Sequence, residues 1–470
     1  MFTQLSFTDG GLRVRHSITT QCVLFEDVFG KPLVAQFDQQ HGSSDGGAVL
    51  LKAADRRLGL IEALADCLHD GRQSGKVVHE LRELVAQRVF GIACGYPDAN
   101  DSARLADDPI HKLLLDRDPI DGDPLASQPT LSRFENSVDR GALYRMGEAL
   151  FEAVIEPHRR RRRKVRHITV DLDPTDDPTH GDQQLSFFNH HYDTWCYLPM
   201  AAYLTFNRGP EQHLCAAVLR PGNAPAQLGA LALLKRILGS LQEDFPVARI
   251  LVRLDGGFAG PELFEFLDGV NVDYVVAMAS NAVLKRHAAL AMLDARQLAD
   301  AGGETAHVYT DCRYAAGTWD RERRVIIKAE VVQRVGREPR DNPRFVVTNL
   351  TRSPKRIYER IYCARGDLEN RIKELHHGVD IGRTSCSRFW ANQLRVLLSA
   401  AAYVLLQEVR RAAAGTGSAR AQVWTLREQL LKLGAHVAVS MRRIVLHLPA
   451  SFPWLDTWRR VAFALGAGAG

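Results

Sequence analysis

Two stretches of this chain end in the same way. Residues 167–173 read HITVDLD and residues 248–255 read ARILVRLD. Each has the β-branched and apolar density of a strand covered on both faces, and each gains a carboxylate at its C-terminal end. Such strands belong to an α/β sheet, with their aspartates emerging where the strands leave the core. Gly256–Gly257 allows a sharp turn after the second.

The neighbouring segments supply the rest of a sheet. Residues 197–206 and 213–220 read as two further strands, with a turn at 207–209. Residues 225–241 and 261–267 read as helices, and 273–278 as another strand. Three strands, helix, strand, helix, strand is the order of an RNase H-like domain, a mixed sheet with helices on both faces. Its first and fourth strands are neighbours, so Asp171 or Asp173 is expected to meet Asp255 at one edge. The closing helix does not follow at once. Residues 285–350 carry strand-like runs at 307–313, 324–335 and 344–350, and read as a β-rich insertion.

Residues 362–376, YCARGDLENRIKELH, then predict a helix. Wound at about 100° per residue, Ile361, Ala364, Leu368, Ile372 and Leu375 form an apolar stripe. Tyr362, Arg365, Glu369, Lys373 and His376 form a second stripe beside it, at steps of three and four. Asp367, Asn370, Arg371 and Glu374 are left for a wet face. The second stripe sets one carboxylate among four groups able to bind phosphate. A solvated face laced with ion pairs is the ordinary reading of such a stripe. Joint placement with two strand-end aspartates favours another. Three carboxylates at close quarters repel unless a cation neutralises them, and Mg²⁺ suits hard oxygen ligands and phosphate oxygens. Two such ions, with Mn²⁺ as a plausible substitute, would serve an in-line phosphodiester displacement.

The N-terminal third has a helical period from about Gly46. Within 125–136, LASQPTLSRFEN, Ser127 is the expected N-cap and Pro129 sits in the first turn. Gln128, Thr130 and Arg133 suit base edges and phosphates, and 110–115 is the matching first helix of a helix-turn-helix. The unbroken basic run 159–164, including Arg161 and Arg162, suits a polyanion backbone. The expected organisation is therefore a mainly helical DNA-binding region at 1–160 and a catalytic core at 161–412. A C-terminal helix and strand pair at 413–470 is a candidate dimerisation element. A helix over 391–412 should pack across the sheet.

Composition narrows the class. A chain of 470 residues, 46% hydrophobic and 24% charged, can bury several cores. Its eight cysteines include no C-x-x-C pair, so neither a disulfide framework nor a thiolate zinc site is expected. No signal peptide or membrane-length apolar run is apparent, and the chain reads as cytoplasmic with no membrane partner. His180, His190 and His191 read as loop groups, Trp195 and Trp390 as core or rim aromatics, and Asp176 and Asp177 as loop polar groups.

With these residues in view, the chain resembles a DDE transposase of bacterial insertion sequences, most like the insertion-sequence thirteen-eighty family and related to the IS-four group. The group's signature is Tyr, two residues, Arg, three residues, Glu, six residues, Lys; Tyr362, Arg365 and Glu369 match it. His376 stands where the lysine is expected, and Lys373 lies one turn earlier. Asp173-Pro174-Thr175 matches the first D-x-T, and VRLDGGF the second aspartate; GYPDANDSARLADDP, DDPTHGDQQ and LRPGN are also similar. The resemblance spans about residues 40–450. It implies that Asp173, Asp255 and Glu369 hold metal ions, that Tyr362 and Arg365 position a phosphate, and that Lys373 or His376 contacts DNA. It also implies double-stranded DNA partners, namely terminal inverted repeats and target DNA, and a homodimer within a synaptic complex. The alternatives are an inactive DNA-binding descendant and a non-specific nuclease on the same fold.

Overall fold

The structure, a computed structural model, describes residues 23–25, 28, 30–36, 38–160 and 164–468. Helices α1 (Val49–Leu58), α2 (Leu60–Asp66), α3 (Leu81–Ala93), α4 (Pro109–Leu114), α5 (Gln128–Ser137) and α6 (Arg140–Arg159) build the N-terminal part. The Asp108 carboxylate caps α4 by accepting from Ile110 N and His111 N at 2.8 and 3.0 Å.

A central mixed sheet follows. Its strands are β1 (His167–Pro174), β2 (Met200–Phe206), β3 (His213–Val218), β4 (Arg249–Leu254), β5 (Asp273–Met278), β6 (Ala306–Tyr314), β7 (Arg323–Arg334), β8 (Arg337–Asp341) and β9 (Arg344–Thr348). Across the sheet the order is β6-β7-β9-β5-β4-β1-β2-β3, with β8 paired to β7. β1, β4 and β5 are parallel, and the remaining pairs are antiparallel. Helices α7 (Ala230–Asp244) and α8 (Pro261–Gly269) make the crossovers into β4 and β5. The segment expected as a β-rich insertion opens instead with a 21-residue helix, α9 (Ala282–Gly302). Its strands extend the central sheet, because β9 pairs with β5 at Val275↔Thr348 through Met278↔Phe345.

Two helices complete the fold, α10 (Gly366–Val379) and α11 (Phe389–Ala412). α11 is long and apolar enough to cross a membrane, yet 94% of that window is buried within the protein. Leu398, Leu405 and Leu406 are fully covered, each stabilising the fold by about 1.5–3 kcal/mol. The N-terminal helices α1, α3, α5 and α6 pack on the same helix as β3, so the hydrophobic core runs unbroken from Ala48 to Leu465.

The polar residues of α11 close the sheet edge. Gln393 Oε1 accepts from Leu219 N at 2.6 Å, and Gln407 Oε1 from Leu214 N at 3.1 Å. Their amide groups donate to Ala217 O and Gln212 O. An edge strand otherwise open to pairing is thereby satisfied. The C-terminal strand pair, Ala435–Ser440 with Arg443–His447, forms a small sheet with Gly42–Ser43 and ties the two ends of the fold together.

Candidate active site

The register of two strands builds the site. β1 and β4 run parallel with Arg253 opposite Asp171, so Asp173 and Asp255 both follow at the C-terminal edge. Asp171 and Asp173 share a face, two residues apart, but differ in surroundings. The Asp171 carboxylate is fully buried and takes both arms of Arg253, with Nε–Oδ1 at 2.8 Å and Nη2–Oδ2 at 2.6 Å. Arg253 Nη1 also donates to Ile361 O at 3.1 Å. Asp171 is thus committed to an internal pair. Asp173, at the strand's end, faces Arg365 instead.

One guanidinium spans the two strand ends. Arg365 Nη2 lies 2.7 Å from Asp173 Oδ1 and 4.0 Å from Asp255 Oδ2. Asp255 caps the turn after β4, accepting from Gly257 N at 2.9 Å through Oδ1. A Cβ on Gly257 would stand 2.9 Å from Ala226 Cβ and 3.2 Å from that carboxylate oxygen, so the turn requires glycine. Burial, opposed by Arg365 and reinforced by the charges of Asp255 and Glu369, pushes the Asp173 carboxyl up to about 6. Asp173 is thus the carboxylate on which the charges of the other two converge. Arg365 Nε is buried without a hydrogen-bond partner, a donor left over beside them.

The segment carrying Arg365 is not the single α-helix expected. A π-helical turn, Ile357–Tyr362, runs into a 3₁₀ turn, Cys363–Arg365, and only then into α10. Wide π turns shift the phase of the side chains that precede the helix. Tyr362 is half-buried, its ring 5.5 Å from that of Tyr358, with the Asp255 charge nearby. Glu369 and Lys373 stand exposed on α10, and Lys373 has no hydrogen-bond or ion-pair partner among the described residues. His376 is turned inward. Its Nε2 is 2.7 Å from Thr175 Oγ1, and burial holds the imidazole below its ordinary range. It is therefore neutral near pH 7, where a lysine would be charged.

The face expected to be wet is wet only in part. Asp367 and Asn370 are exposed, but Glu374 is fully buried. Its carboxylate accepts from Arg410 Nη1 at 2.5 Å, Tyr403 Oη at 2.5 Å, Arg371 Nη1 at 2.7 Å and Val423 N at 3.2 Å. α11 lies against that face and supplies Tyr403 and Arg410, which a helical wheel of α10 alone could not reveal. Asp177 is likewise no surface loop group. It is fully covered, accepts from Thr384 Oγ1 at 2.7 Å, and burial pushes its carboxyl up to about 8.

Away from this edge, Gln128 and Thr130 are half-buried and Arg133 exposed on the first turns of α5. Ser127, the expected cap, meets Thr130 Oγ1 at 3.2 Å and makes no capping bond to the backbone. At the end of α6, Arg159 pairs with Glu152, Glu156 and Asp244, and Arg160 with Glu156. Arg161 and Arg162 lie outside the described residues.

Two features were missed in the sequence. Arg253 could have been read as the partner of Asp171, since DLD and RLD set charges two residues before each strand-end aspartate. Tyr192, on the hairpin between Phe187–Asn189 and Thr194–Tyr197, feels the charges of Asp176, Asp173 and Asp255. No sequence pattern marked it. Trp195 on the same hairpin is 57% exposed, a rim aromatic and not a core one.

Asp45, Cys94 and His111 are a buried group with ligand atoms within 4.8 Å of one another. The Asp45 carboxylate there is already taken by His111 Nε2 at 2.9 Å and Lys432 Nζ at 2.8 Å. Burial keeps the Cys94 thiol protonated. An ammonium and a neutral thiol make this a structural tie between α4 and the C-terminal segment, not a metal centre.

The family model described as Transposase DDE domain group 1 matches residues 25–467. No curated protein matches. Among solved structures, the piggyBac transposase synaptic complex with hairpin DNA aligns at a TM-score of 0.41 and 9% identity, covering 82% of this chain and 80% of that one.

Proposed function

From the premise that the chain belongs to the transposase DDE domain group 1 family, we propose that it is the transposase of a bacterial insertion sequence of the thirteen-eighty kind, related to the IS-four group. It cleaves DNA at terminal inverted repeats and joins the ends to target DNA, by cut-and-paste transposition. The observation that carries the reading is the Arg365 guanidinium set between two strand-end carboxylates, 2.7 Å from Asp173 and 4.0 Å from Asp255. The sheet order β3-β2-β1-β4-β5, with three antiparallel and then parallel strands, supports an RNase H-like core.

In this reading Asp173, Asp255 and Glu369 hold two Mg²⁺ ions, for which Mn²⁺ can substitute. The donor set fits: hard oxygens, of which the Asp173 carboxyl is raised first by burial and further by the charges of Asp255 and Glu369. Bound there, the ions supply Lewis-acid charge for in-line phosphodiester displacement. The protein's own groups do the positioning. Asp255 is oriented by Gly257 N, and Arg253 holds the neighbouring Asp171 out of the site. Arg365 turns its spare Nε–H to a phosphate oxygen, beside Tyr362. Lys373 contacts the phosphate backbone, while His376 steadies Thr175 after the first aspartate. Gln128, Thr130 and Arg133 meet the inverted repeat, with Arg161 and Arg162 on its backbone. The protein works as a homodimer in a synaptic complex in the bacterial cytoplasm, at the nucleoid.

Incubation with duplexes bearing the ends of its own element, in Mg²⁺ or in EDTA, tests the reading. Metal-dependent nicking confined to the ends supports it. Binding without any nick would indicate a DNA-binding protein without catalysis, and cutting of unrelated duplexes at equal rate would indicate a plain nuclease.

A further inference from the structure

A cavity of about 380 Å³ opens at the opposite edge of the sheet, where β1, β4 and β5 begin. His167 to Asp173 is six strand steps, so the far end of the cavity lies about 20 Å from the carboxylates, while its lining extends along the sheet to Arg253, Ala364 and Asp367. Its lining is unusually basic: Arg208, Arg249, Arg253, Arg352, Arg356 and Arg360, against the two carboxylates Asp273 and Asp367. Two of these arginines are neutralised, Arg249 by Asp273 at 3.0 Å and Arg253 by Asp171 at 2.6 Å. The side chains of the other four have no hydrogen-bond or ion-pair partner among the described residues. They arrive from three separate segments: the β2–β3 turn, the loop after β9, and the turns leading into Tyr362.

We propose that this cavity is a second, phosphate-binding site, distinct from the carboxylate edge. Four unpaired guanidiniums facing one remaining carboxylate repel one another, and a multiply charged oxyanion relieves that repulsion while accepting several charge-assisted bonds. The planar guanidinium fork matches phosphate oxygens. The field is already felt at the cavity wall: partial burial, together with the charges of Arg208, Arg249, Arg166 and Arg352, holds the imidazole of the exposed His167 below its ordinary range. The backbone is shaped for it too. Asn207 and Arg208 both take left-handed conformations, at φ 50 and 58. Asn207 Oδ1 accepts from Arg166 N at 2.7 Å and His167 N at 3.2 Å, which fixes the turn that carries Arg208. A volume of this size admits a few phosphate groups but not a duplex. The occupant is therefore the phosphates of a single strand or a free polyphosphate. The site stands whether or not the carboxylates cut DNA.

Inorganic triphosphate is the probe, with the full chain and two variants, Arg352→Gln/Arg356→Gln and Arg208→Gln. Calorimetry should show triphosphate binding to the wild type, weakened about tenfold or more in the double variant. Because none of these side chains has a partner to lose, both variants should melt at or above the wild-type temperature without anion. No binding by the wild type, or equal binding by all three proteins, overturns the proposal, as does a fall in the anion-free melting temperature. Single-stranded DNA distinguishes the sources. Displacement of triphosphate by the strand, with a shallower salt dependence of strand binding in the double variant, identifies strand phosphates. Unchanged triphosphate affinity at saturating strand identifies a free polyphosphate.

Discussion

Replacing Asp171 and Asp173 by asparagine, one at a time, should produce opposite defects from positions two residues apart. Asp171→Asn removes one charge from a buried bidentate pair and leaves Arg253 with a neutral amide and the Ile361 carbonyl. Breaking a buried pair on one side costs about 3–5 kcal/mol, since the remaining charge is uncompensated. For a chain of this length the unfolding entropy is about 1 kcal/mol per kelvin, so the melting temperature should fall by about 3–5 °C. Asp173→Asn works the other way. Asp173 gives up its 2.7 Å pair with Arg365, but Asp255 stays 4.0 Å from that guanidinium and the burial and repulsion that push the Asp173 carboxyl up are relieved, so the melting temperature should change little. Cleavage of end DNA should vanish in Asp173→Asn while DNA binding persists. Differential scanning calorimetry and a nicking assay on both variants check this. Full stability in Asp171→Asn, or wild-type cleavage by Asp173→Asn, would refute the assignment.

Arg410→Met should destabilise the fold by about 3–5 kcal/mol, because Glu374 would stay buried without its closest cation; a melting temperature equal to wild type would show the network to be dispensable. Asp177 gives a pH signature. Its carboxyl is raised to about 8 in the fold, so the folded state holds a proton that the unfolded chain releases near pH 4. Its contribution is complete below about pH 4 and is lost as pH rises towards 8. Asp177→Asn should flatten the decline in thermal stability between about pH 6 and 8; an unchanged slope would assign that decline elsewhere. Lys373→Gln should reduce the salt slope of DNA binding by about one, whereas His376→Ala should leave it unaltered, as titrations at several salt concentrations would reveal.

Much of the sheet was legible because strands buried on both faces write themselves as continuous β-branched runs. Residues 167–173 and 248–255 lie within a residue of β1 and β4 at their aspartate ends. Parallel register then brought Asp173 and Asp255 to one edge, as the order of strands and helices had led one to expect. What was not legible came from neighbours distant in sequence. Glu374 looks solvated on α10 until α11 delivers Arg410 and Tyr403 to it. Asp171 and Asp173 look equivalent until the register supplies Arg253 to only one of them. The helix α9 was hidden because its buried stripe, Leu284, Ala288, Ala291, Met292, Ala295 and Ala299, is mostly alanine, while the larger Leu290, Leu293 and Leu298 stand exposed on its other faces. The π turn before α10 has no sequence signature at all, and it decides how Tyr362 sits relative to Glu369.

The central claim is that Asp173, Asp255 and Glu369 form one phosphodiester-cutting centre. The most direct measurement is single-turnover cleavage of a labelled end duplex in Mg²⁺ by the wild type and by Asp173→Asn, Asp255→Asn and Glu369→Gln, with binding measured in parallel. The account predicts that all four proteins bind the duplex with similar affinity and that only the wild type cuts it. Cleavage by Glu369→Gln at the wild-type rate would contradict it.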